Sequence, residues 1–143
     1  MYQIQKRIQR AAESILENEA LSADLDDDSA KVLLDWGVSL SRQITIQTVE
    51  MDDAQAEQAM YRPMRALRKM LSIANKWTNG PGEKNLRRML EQAPDIYGSE
   101  YTPPGDEELR AFMVQIPAGS IERLNALQRF IQGDQVDLAS NFS

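Results

Sequence analysis

Met60-Tyr61-Arg62-Pro63-Met64-Arg65-Ala66-Leu67-Arg68-Lys69-Met70-Leu71-Ser72-Ile73-Ala74-Asn75-Lys76-Trp77 carries the strongest periodicity in the chain. Met60, Met64, Leu67, Leu71 and Ala74 recur at the spacing of one α-helical face, and Met70, Ile73 and Trp77 widen the stripe. Asp52-Asp53 offers a cap ahead of it, so the pattern predicts a helix over residues 53–78. Pro63 falls inside the pattern. Without an N–H, and with a ring that crowds the preceding turn, it either kinks one long helix or sits in the first turn of a second one beginning near Tyr61.

The other side of the same helix is cationic. Arg62, Arg65, Lys69 and Lys76 share a face, with Arg68 beside them, and Arg87 and Arg88 extend the basic block beyond the Gly80-Pro81-Gly82 turn. Residues 62–88 hold eight basic side chains and one acidic one, Glu83, whereas residues 11–61 hold twelve acidic and two basic. Segregation on this scale marks the basic face (Arg62, Arg65, Arg68, Lys69, Lys76, Arg87, Arg88) as a candidate surface for phosphate, nucleic acid or an acidic protein. The competing reading is a face that meets the chain's own acidic helices or water. A net charge of −6 and a pI near 4.7 lie far from the footprint of a nucleic-acid-binding domain and count against a membrane-bound basic helix as well.

Upstream, Leu33, Gly37, Leu40, Ile44, Thr48 and Met51 make a second helical stripe, widened by Val32 and Trp36, after a polar break, Asp24 to Ser29, rich in capping residues. A helix is expected over 29–50. Ile44-Thr45-Ile46-Gln47-Thr48-Val49 is also β-branched and alternating, but no second run of that kind offers it a partner strand. Ile4, Ile8, Ala11, Ala12 and Ile15 predict a helix over 3–20, whose basic start and acidic end oppose the helix dipole. Gly37 lets another helix approach closely, so the two longest helices are expected to pack antiparallel through the Gly37 and Met64 stripes.

Downstream the elements shorten. Leu86, Met89 and Leu90 predict a helix ending before Pro94, followed by a Pro/Gly loop over 94–105. Asp106-Glu107-Glu108 opens another through Leu109, Phe112 and Met113 to Pro117, and Ser120 caps a last one that closes at Gly133. The Leu-Arg/apolar/Gln/Pro pattern at 86–94 recurs at 109–117, and two copies are too few for a solenoid. The expected fold is all-α: an irregular helical bundle of three longer helices plus two or three short C-terminal helices. It forms a single helical domain over 1–133 with a polar, disordered tail over 134–143. Trp77, Tyr97 and Tyr101 are the aromatic candidates for an interface, against the reading in which the loop folds back and its rings cover the core. The methionine stripe reads as core.

The chemistry available is narrow. The chain has no His and no Cys, which removes His-based acid–base catalysis, thiol nucleophiles, disulfides and the usual zinc sites. No catalytic residue is assigned and no cofactor is expected, although carboxylate or Lys chemistry stays open. Asp24, Asp26, Asp28 and Asp35 fall at calcium-loop spacing. Ser29 stands where that loop needs Gly, however, and Lys31 where it needs an apolar residue, so no metal site is expected. Asp52-Asp53 and Glu107-Glu108 suit helix starts better than catalysis. With neither a signal-peptide core nor a membrane-length apolar run, the expectation is a cytoplasmic, non-enzymatic adaptor or regulator. It would bind another protein through its segregated charge, a homodimer being one form; a nucleic-acid- or phosphate-contacting regulator is the alternative.

Overall fold

The computed structural model describes residues 26–77 and 82–133, together with Lys6, Arg7, Arg10, Glu13, Ser14 and Glu17, which are helical and exposed. The remainder of the helix expected over 3–20, the turn at 78–81 and the tail at 134–143 lie outside the described residues. Five complete helices follow in order: α1 (Asp27–Ile46), α2 (Asp53–Trp77), α3 (Glu83–Tyr97), α4 (Asp106–Val114) and α5 (Ser120–Gln132). The fold is an all-α bundle, with no strand among the described residues.

Asp26 starts α1, its side chain accepting the backbone N–H of Ser29 at 2.7 Å. That bond holds the Asp26 carboxyl below its ordinary pKa. The helix ends at Ile46 rather than near residue 50, and the reason lies in the hydroxyl residues. Thr45 Oγ1 donates to the Ser41 carbonyl at 2.8 Å and Thr48 Oγ1 to the Thr45 carbonyl at 2.8 Å. Short-range backbone bonds such as Thr48 N to Thr45 O then tighten the chain into successive turns. Asp52 and Gln55 exchange hydrogen bonds at the start of α2, Gln55 N to Asp52 Oδ1 at 2.8 Å and Asp52 N to Gln55 Oε1 at 3.3 Å. Pro63 lies inside α2, which continues as one helix on either side of it.

Two further boundaries differ from the sequence expectation. Helix α3 runs through Pro94 to Tyr97, because its last turn brings Ile96 and Tyr97 into the core. It stops at Gly98, whose φ of +97° only glycine adopts freely. The cap of α5 is Gly119, and Ser120 is already helical. The recurrent pattern at 86–94 and 109–117 also yields unlike helices, since α3 buries six residues and α4 only Leu109.

One hydrophobic core joins the helices. Leu33, Trp36, Leu40 and Ile44 come from α1, Leu67, Met70, Leu71 and Trp77 from α2, Leu86, Met89 and Ile96 from α3, and Leu124, Leu127 and Ile131 from α5. The most extensive packing is between α2 and α3, and α1 touches α2, α3 and α5. Gly37 is buried and Met64 is half-buried against the core. Phe112 of α4 stacks on Trp77 and on Phe130, with ring centroids 6.2 and 4.3 Å away, and so ties α4 to α2 and α5. No described helix is long and apolar enough to cross a membrane.

Candidate functional site

The core stripe of α2 fixes what its other side must do. With Ala66, Leu67, Met70, Leu71 and Ala74 buried, the opposite face points away from the bundle, and Arg62, Arg65, Arg68, Lys69 and Lys76 are all exposed there. A rise of about 1.5 Å per residue spreads them over roughly 21 Å.

Two of the seven sequence candidates turn toward the chain's own acids. Arg62 Nε lies 3.0 Å from Asp95 Oδ1. Only five residues join the end of α2 at Trp77 to the start of α3 at Glu83, and this contact brings the first half of α2 to the last turn of α3, so the two helices run antiparallel. The Arg62 side chain remains 83% exposed, so the pair contributes little. Arg87, half-buried on α3, lies 2.9 Å from Asp106 at the start of α4 and 3.5 Å from Glu83. Its bond to Asp106 raises the Arg87 pKa and lowers that of Asp106. Arg87 therefore braces α4 against α3. Among the described residues, Arg65, Arg68, Lys69, Lys76 and the exposed Arg88 make no ion pair.

Trp77, Tyr97 and Tyr101 do not form an interface edge. Trp77 is fully buried, and Tyr97 and Tyr101 stack on each other with centroids 5.0 Å apart beneath the loop. The Tyr101 hydroxyl donates to the Ile131 carbonyl at 2.6 Å. Burial pushes the Tyr97 hydroxyl up to about 12 and raises that of Tyr101 as well.

A groove of about 440 Å³ adjoins the cationic face, and the sequence pattern did not reveal it. Met60, Tyr61 and Met64 supply apolar surface, and Arg65, Arg68 and the ion pair between Arg7 and Glu57 line it as well. Tyr61 is 73% exposed, a large ring held out on a regular helix. The available signal was its phase: Tyr61 stands four residues before Arg65, on the polar side of the wheel rather than in the apolar stripe. A second, wider depression of about 840 Å³ lies between the 102–105 loop, α4 and α5, where Phe112 and Phe130 meet Arg129.

No described carboxylate is buried, and the described residues hold no cluster of three metal-binding side chains. The chain matches no protein-family model, no curated protein and no solved structure.

Proposed function

We propose that the protein is a non-enzymatic cytoplasmic adaptor or regulatory domain that binds an acidic surface of another protein through the outer face of α2. The observation that carries this reading is the set Arg65, Arg68, Lys69 and Lys76, exposed on one helix face with no acidic partner among the described residues, in a chain whose net charge is −6. Like charges this close repel one another, and an acidic partner relieves that repulsion while steering its own approach. The acidic helix starts of a second copy are one such partner, so a homodimer belongs to the proposal. The non-enzymatic part draws support from the absence of His and Cys, which removes the usual acid–base and thiol chemistry.

The test compares the wild-type chain with one in which Arg65, Arg68, Lys69 and Lys76 are reversed to Glu, as bait in extracts of the native host. One protein retained by the wild type and lost by the reversed chain is the expected result. Equal retention by both removes the face from the function, and recovery of nucleic acid in place of protein transfers it to a nucleic-acid role. Sedimentation at low and high salt checks the dimer, which disappears from the proposal if the protein is a monomer throughout.

A further inference from the structure

We infer that the groove beside Tyr61 is the seat of one acidic amphipathic helix from a partner protein, whose apolar residues rest on Met60, Tyr61 and Met64 while its carboxylates meet Arg65 and Arg68. The inference rests on the reading of α2 as a partner-binding face and names the chemistry of that partner.

Charge and shape point to the same occupant. Among the described residues that line the groove, Arg7, Arg65 and Arg68 face one acid, Glu57, which already pairs with Arg7, so the unpaired charge of these residues is positive. The floor is not polar. Met60 is nearly closed off, Met64 is half-buried, and the Tyr61 ring stands open beside them. Methionine adapts its shape to an incoming side chain, and tyrosine and arginine are the residue types that concentrate binding energy at protein interfaces. From Glu57 to Arg68 the groove follows α2 for about 16 Å, roughly three helical turns, the footprint of a helix laid along another helix.

A polyanion such as single-stranded nucleic acid would meet the cations too. It would stack a base on Tyr61, but it would gain little from the two methionines and would feel the field of a chain that is acidic overall. An acidic helix with apolar residues beside its carboxylates uses both halves of the site.

The experiment titrates the full chain into labelled, stapled helical peptides of about 14 residues, a length of about 21 Å, and follows anisotropy. One peptide carries Glu on one flank and Leu on the next, its twin has Ala for each Leu, and a short single-stranded oligonucleotide is the third probe. The leucine peptide should bind about tenfold or more tightly than its twin, the least expected from burying one leucine-sized side chain. Tyr61→Ala should close that gap, and Arg65→Ala with Arg68→Ala should weaken both peptides. These positions are exposed, and circular dichroism verifies that each variant is folded.

Equal affinity for the two peptides overturns the groove and leaves the cationic face standing. Failure of both peptides to bind overturns the two readings together. Tighter binding of the oligonucleotide than of either peptide overturns the acidic helix as the occupant.

Discussion

Removing a single oxygen tests how the Pro/Gly loop is held. The Tyr101 side chain is buried, its ring is stacked on Tyr97, and its hydroxyl donates to the Ile131 carbonyl at 2.6 Å. Ile131 belongs to the last turn of α5, whose carbonyls have no helical N–H to receive. Gly133 N serves Arg129, and Tyr101 serves Ile131. Tyr101→Phe keeps the ring and its stacking, so no large cavity opens. It strands a buried acceptor at a cost of about 1–3 kcal/mol. For a chain of this size that corresponds to a fall in Tm of about 3–10 °C. Urea and thermal unfolding followed by circular dichroism measure it, with Tyr61→Phe as the matched control. Tyr61 is exposed, and its variant should stay within about 0.5 kcal/mol of wild type. If Tyr101→Phe unfolds together with Tyr61→Phe, the loop is not held by this bond and the account of α5's end is wrong.

The same tyrosines set a limit at alkaline pH. In the unfolded chain Tyr97 loses its proton near pH 10, whereas burial holds it until about 12 in the fold. The unfolded state therefore binds fewer protons above pH 10. The contribution of Tyr97 to stability is complete below that pH and falls by about 3 kcal/mol as pH rises to 12. A urea midpoint that stays constant from pH 10 to 12 would contradict this. Pro63→Ala restores a backbone N–H inside α2 and should stabilise the protein by up to about 3 kcal/mol, so a lower Tm in this variant would show that the proline ring is needed for packing. Gly98→Ala should destabilise by about 1–3 kcal/mol through backbone strain. A Cβ there has room, 3.6 Å from the Gln47 side chain, so an unchanged midpoint would mean the chain relaxes away from φ +97°.

What the sequence made legible was governed by local period and local chemistry. The three- and four-residue recurrence of α2 located most of its buried face, missing the small or polar Ala56, Ala66 and Asn75, and its charged complement followed from the same wheel. Signals decided by distant contacts were harder to read. Pro94 looks like a stop because its own turn is weakened, yet the burial of Ile96 and Tyr97 outweighs that local loss. Thr45 and Thr48 look compatible with helix or strand until their hydroxyls find carbonyls one turn back. Arg87 belongs to the basic block in sequence, and only the placement of Asp106, nineteen residues later, takes it out of the exposed face. The groove escaped notice because Met60 and Met64 fit the core pattern equally well, and half-burial of Met64 is a matter of what packs beside α2.

Trp36 and Trp77, the chain's two tryptophans, both lie wholly inside the core. The outer face of α2 thus has no indole of its own. Intrinsic fluorescence in this protein is an internal gauge of structural integrity: it should shift when the bundle opens and stay nearly constant when a ligand settles outside. Any variant of the cationic face can be monitored in one cuvette, emission reporting whether the scaffold persists while a labelled ligand reports whether it is held.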